Sequence, residues 1–288
     1  RFSDALTLTT YRHTRAHYTM LVNGIGQAFT SEAYGMMLRA AGGSHIAYAL
    51  GDASEAYCGI SDDPMWVKNF ENAGIAQTPE NGFGTTPLTK YRRQVLMLYP
   101  DIVLVYDELE ASEPVRWEWL LHSTEKYGLE GQMFTTHLDN GVAEARMFSD
   151  SSFEGAQTDQ YAGSPGEGYA NQWHLTAFFE NIPQCRILTL VQVRGSESEV
   201  LPVVRNGNRI TCGDWVIEVN LDPSSAERLQ VTNSSSAAVY SYGSDNPVLG
   251  GKAYARQYRN SSVLYDNMDG AYRTDEQTDR KPVASRKG

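Results

Sequence analysis

Cysteine is scarce: three in 288 residues, Cys58, Cys185 and Cys212, too few and too scattered for a disulfide framework or a zinc ribbon. Three buried thiols are the simplest expectation, with one bridge and one free thiol as the other arrangement. No run is long and apolar enough to span a bilayer, and no apolar leader with a cleavage site stands at the front, so no membrane span is expected. Basic residues are also in deficit. Lys and Arg number 24 against 35 Asp and Glu, and a formal net charge of -11 argues against a general polyanion-binding surface and against nucleic acid as a partner. A local basic cleft is still compatible with that balance. HExxH spacing, paired catalytic carboxylates and internal repeats are absent, which leaves a metal-dependent hydrolase weakly supported. Aromatics, by contrast, are plentiful: 17 Tyr and 5 Trp suit β-sheets and, where exposed, the faces of sugars.

The chain is organised around Tyr11 to Gln27, YRHTRAHYTMLVNGIGQ. Tyr18 to Val22 is apolar and β-branched, and Asn23-Gly24 tolerates the positive φ of a tight turn, so the run predicts a strand entering a turn. If the extended conformation reaches back far enough, His13 and His17 lie at even spacing on one face. Imidazoles bind zinc and move protons, and Arg12, Arg15 and Tyr11 suit an anionic substrate. HxxxH alone specifies little, and from spacing alone ordinary hydrogen-bonded histidines outweigh a site.

Elsewhere, Thr30 to Ala41 carries the best helical signal, His45 to Leu50 a short strand, and Asp52 to Tyr57 one helical turn. Ser61 to Thr89 is rich in Pro, Gly, Asn and Asp and is expected to be a long loop. Arg92 to Tyr99 and Ile102 to Leu109 flank Pro100-Asp101 as a hairpin, and Val115 to Leu121 alternates with the period of a strand. Further strands are expected at Met133 to Leu138, Val142 to Phe148, Gln172 to Glu180 and Arg186 to Val193, with a surface excursion from Ser149 to Tyr169. His122 and His174 fall on mixed strand faces, where packed histidines are the commoner case. After Glu197 the strands shorten, as in the closing strands of a sandwich, and the tail from Thr274 is expected to fray. The expected fold is all-β, stacked antiparallel sheets. The division is 1–196 as the main β-sandwich and 197–288 as closing strands or a small C-terminal β-domain with the tail.

Three stretches, taken in order, resemble one family. AHYTMLVNGIGQ is similar to the segment AHNTILVNGxGQ of the heparinase II/III-like polysaccharide lyases, a superfamily that includes alginate and oligoalginate lyases. GDASEAY (Gly51 to Tyr57) and YRRQVLMLYPDIVLVYDELEASEPVRWEWLLHS (Tyr91 to Ser123) resemble that family's next segments: an arginine-rich strand, a Pro-Asp turn, a strand ending in an acidic pair and Leu, and a strand ending in LLH. Ordered matches across about 110 residues are far more specific than any one motif. One departure is Tyr18, where the family usually has Asn.

The resemblance implies a β-domain of a lyase that cleaves a uronic-acid-containing glycan, such as alginate or a glycosaminoglycan, by β-elimination. It implies zinc, with His17 as a ligand and its partner ligands upstream. Tyr11 and His13 are then the candidate catalytic groups, and Arg12, Arg15, Arg92 and Arg93 the candidate substrate-binding groups. A helical toroid precedes this domain in the family. The chain starts at Arg1 rather than Met, so a fragment or processed product of a longer, periplasmic or secreted protein is expected. A non-catalytic carbohydrate-binding or scaffolding β-domain is the alternative.

Overall fold

The computed structural model describes residue 5, residues 7–160, 171–236 and 238–243, and the backbone of short strands at 248–249, 252–253, 262–266 and 272–274. All but the first residue of the tail expected to fray from Thr274, the 161–169 part of the expected surface excursion, and most of the chain after Asp245 lie outside the described residues. Twelve strands come first: Met20–Val22 (β1), Met36–Gly42 (β2), Ile46–Asp52 (β3), Cys58–Gly59 (β4), Gly84–Thr85 (β5), Leu88–Leu98 (β6), Ile102–Ser123 (β7), Gly128–Glu130 (β8), Met133–Leu138 (β9), Gly141–Phe148 (β10), Glu154–Thr158 (β11) and Trp173–Arg194 (β12). The strands β4 and β5 pair with each other. The rest form a ten-stranded antiparallel sheet in the order β2-β3-β6-β7-β12-β10-β9-β8, with β1 added to β7 and β11 to β12. A second sheet of seven strands follows, built from Val203–Asn206 (β13), Arg209–Cys212 (β14), Trp215–Val219 (β15), Arg228–Asn233 (β16), Val239–Gly243 (β17), Ser262–Asp266 and Tyr272–Thr274.

Side chains alternate across a strand, and the two 22-residue strands β7 and β12 use this to serve two cores. Ile102, Leu104 and Tyr106, with Leu188 and Leu190, face the second sheet and pack with its Ile210, Ile217, Val231 and Tyr240. Positions of the other parity, Leu109, Val115, Trp117 and Trp119 with Leu175, Phe179 and Ile187, bury against Met20, Val22, Phe134 and Tyr91. Burying each such side chain contributes roughly 1.5–3 kcal/mol. The chain passes between the sheets after Arg194, and the first core belongs to both of them.

Several elements differ from expectation. Thr30 to Ala41 is not a helix: Met36–Gly42 is the strand β2, paired antiparallel with β3, so sheet pairing overrides the helix-forming Met, Leu and Ala. The expected loop from Ser61 contains a helix, Pro64–Ala73 (α1). Asp63 caps it by accepting the Met65 N–H at 2.9 Å, Pro64 opens it, and Gly74 ends it at φ 65. Its Phe70 stands edge-on to Phe83 at 5.0 Å, in a small cluster with Leu8, Phe29 and Trp66. The predicted strands Gln172 to Glu180 and Arg186 to Val193 are one strand, β12, carried past register shifts near Ile182 with Asn181 at φ 55. All three cysteines are free; Cys185 and Cys212 are buried, while Cys58 is exposed, contrary to expectation.

Candidate functional site

The strand β1 is short, and what precedes it is not extended. Thr14–Ala16 makes a 3-10 turn, so His13 and His17 do not share a sheet face: His13 points inward with no exposed surface, and His17 is exposed. After β1 the chain reverses through Asn23 (φ 53) and Gly24 (φ 78), as the Asn-Gly pair predicts, and Val22 bridges to Ile25. This return brings Gln27 to Thr14, whose hydroxyl accepts the Gln27 N–H at 2.6 Å.

His13 is saturated. Nε2 donates to the Gly82 carbonyl at 2.9 Å, Nδ1 accepts the Arg15 N–H at 3.1 Å and the Arg15 Nε–H at 3.2 Å, and the ring stands edge-on to Phe83 at 4.9 Å. Those partners define a neutral imidazole protonated on Nε2. Burial, reinforced by the Arg15 charge, lowers its pKa to about 4. Gly82, at φ 86, leaves room for this packing, since a Cβ there would collide with His13 and Arg15. A buried, fully bonded imidazole is at odds with His13 as a proton carrier; it anchors the turn instead. Arg15 also reaches the Asn81 carbonyl at 3.2 Å, Arg12 lies 4.8 Å over the Trp66 ring, and Tyr11 is exposed.

Arg92 and Arg93 are largely buried, and each is already paired with a carboxylate of the protein, an arrangement at odds with their expected role in binding substrate. They are neighbours on β6 and point to opposite faces, and each meets a carboxylate. Arg92 pairs with Asp52 at 3.1 Å. Arg93 grips the fully buried Asp107 with two bonds, of 2.6 and 2.9 Å, and Trp119 donates to the same carboxylate at 3.1 Å. The remaining Arg93 nitrogen, Nη1, donates to the Tyr18 carbonyl and so ties the central segment to β6 and β7.

Tyr18, His122 and His174 form a group that residue spacing did not single out. His122 on β7 and His174 on β12 are direct cross-strand partners, with ring centroids 4.1 Å apart and edge-on. Tyr18 lies against His122 at 5.3 Å, and its hydroxyl reaches the His122 carbonyl at 3.5 Å. Burial pushes both imidazoles down to about 4, and the His122 Nε2 has no hydrogen-bond partner among the described residues. The strand alternation of each histidine was legible, but their pairing depends on the β7–β12 register, which no local pattern states.

No family model matches this sequence, and no curated protein does. Solved structures do match. A heparan sulfate lyase HepC mutant from Pedobacter heparinus superposes with a TM-score of 0.51 at 10% identity, over 80% of this chain and 31% of that one. A heparinase III gene product gives 0.52 at 9% identity, over 78% of this chain and 29% of that one, and a further heparinase III structure gives 0.51 at 10% identity, over 81% and 30%. The fold is that of the heparinase III β-sheet region. The resemblance drawn from the motifs is borne out at that level, and the chain spans less than a third of the length of these lyases.

In this heparinase III-like β-domain the three resembling stretches converge. Met20 to Val22 pair with Trp117 to Trp119, Tyr57 donates its hydroxyl to the Met20 carbonyl at 2.6 Å, and the Ala53 N–H bonds the Tyr91 carbonyl at 2.8 Å. Among the described residues, no group of three His, Cys, Asp or Glu comes together to hold a metal ion. Also among the described residues, no helix is long and apolar enough to cross a membrane.

Proposed function

We propose that this chain is the β-domain of a polysaccharide lyase that cleaves a uronic-acid-containing glycan by β-elimination. The observation that supports it is the convergence of three family-like stretches, up to a hundred residues apart, on one corner of a heparinase III-like fold. The C5 proton of a uronate is acidic only while the adjacent carboxylate is neutralised, and a phenol or imidazole must take it up. In this reading the exposed Tyr11 transfers protons, Arg12 and Arg15 face the carboxylate, and His13 positions Arg15. A zinc ion at His17 would draw its other ligands from outside the described residues, and no catalytic step is assigned to it. The rest of the active site belongs to the rest of a longer, periplasmic or secreted protein with a helical toroid.

A non-catalytic glycan-binding domain is the second reading, favoured by Tyr11 and Tyr18, which are 45% and 60% exposed. The test is ultraviolet absorbance of unsaturated uronate product, with the full natural protein on alginate, heparan sulfate, chondroitin and hyaluronan. A signal on one glycan is expected; silence on all four, with glycan binding retained, would move the assignment to the binding domain. His17→Ala is expected to lose bound zinc and most activity. Unchanged metal content in that variant would remove the ligand assignment.

A further inference from the structure

Tyr18 is 60% exposed, yet its backbone is tied down and its ring rests on the protein. Its carbonyl is clamped by Arg93, which is itself fixed to the buried Asp107. The next residue, Thr19, accepts the Leu120 N–H at 3.0 Å through its carbonyl and bonds the Tyr91 hydroxyl at 3.1 Å through its own. The ring lies against His122, which is backed edge-on by His174. A surface tyrosine ordinarily gives up rotamer freedom when a ligand arrives; with its backbone fixed, its ring against His122 and its hydroxyl 3.5 Å from the His122 carbonyl, Tyr18 has less of that freedom to lose when a ring stacks on it.

We propose that Tyr18 is a stacking platform for a pyranose ring of the glycan, a subsite beside the exposed His17. The proposal rests on the glycan reading above and deepens it. The CH-rich face of a sugar ring packs on an aromatic plane while its hydroxyls stay in water, and tyrosine offers such a plane with a polar tip. Arg93, which bonds the Tyr18 carbonyl, is also held by Asp107, so it offers the subsite no free charge and the stacking is to the ring face.

The experiment measures binding of uronate oligosaccharides from the same four glycans to the full natural protein, by calorimetry, alongside KM and kcat where turnover is seen. Tyr18→Ala is expected to weaken binding about tenfold or more and to raise KM with little change in kcat, whereas Tyr18→Phe and Tyr18→Trp stay within about threefold of wild type. Wild-type affinity in Tyr18→Ala overturns the platform and leaves the glycan reading standing. Equal losses in the Ala and Phe variants also overturn it, because they assign the effect to the hydroxyl. Failure of the wild type to bind any of the four glycans overturns the glycan reading and the platform together. If Tyr18→Ala does not fold, the Phe and Trp variants carry the test: a loss in either overturns stacking.

Discussion

His13 is the group in this corner whose protonation the fold opposes most clearly on geometric grounds, because its Nδ1 must accept two N–H bonds. Its folded-state pKa of about 4 lies below the unfolded value of about 6.5, so the folded state binds fewer protons on falling pH. The associated stability is complete above about pH 6.5 and is lost as the pH falls towards 4. His122 and His174 shift in the same direction and add to the slope. In His13→Gln the amide can still donate to Gly82, and nothing at that position titrates. Its unfolding free energy, measured by urea melts between pH 7 and 5, should fall less steeply than wild type by roughly 1.4 kcal/mol per pH unit at most. Parallel slopes would mean that His13 takes up its proton as readily in the folded protein as in the unfolded chain. The sequence showed His13 and His17 as an HxxxH pair, and that much was legible. Their separation was not, because the contacts that turn His13 inward come from Gly82 and Phe83, about seventy residues away.

One buried ion pair adds to the strand pairing that joins β1, β6 and β7. Asp107 is fully buried and satisfied by Arg93 and Trp119, and Arg93 in turn holds Tyr18. Removing one member strands the other, so Asp107→Ala and Arg93→Ala should each cost about 3–5 kcal/mol in urea denaturation. The pair Arg93→Met with Asp107→Leu should cost clearly less than the sum of the singles, since no buried charge is left unpaired. Additive losses would show that the two residues act independently. At this scale most strands were readable from alternation, including the β6–β7 hairpin, β9 and β10. The failures have physical causes. Met36–Gly42 contains good helix formers, but its pairing with β3 decides its state, and α1 announced itself through Asp63-Pro64 and Gly74 inside a stretch whose Pro and Gly content argued for a loop.

Across the whole molecule, the first core is made by both sheets at once, and polar bonds also cross between them. Arg186 on β12 donates to the carbonyls of Asn220, Asp222 and Ser225, at 3.3, 2.9 and 2.8 Å. Lys90 on β6 bridges Glu110 and Glu227 at 3.1 and 3.3 Å, and the Tyr242 hydroxyl donates to the buried Glu108 at 2.6 Å. The sequence legibly places a change of strand length near Glu197, but not the fact that Leu104, Tyr106 and Leu190 are covered by strands that begin only at Val203. A chain truncated after residue 196 would expose that face to water, leave Arg186 without the carbonyls of Asn220, Asp222 and Ser225, and take Glu227 away from Lys90. Such a truncation should therefore bind a hydrophobic dye strongly and lack a cooperative thermal transition. The full chain should unfold in a single step, with fluorescence of Trp117 and Trp119 in the large sheet and of Trp215 in the small one changing together, as single-tryptophan variants can read. A truncated protein that melts cooperatively without dye binding would show that the large sheet has a core of its own sufficient to fold, and that the second sheet is an attachment to it rather than half of it.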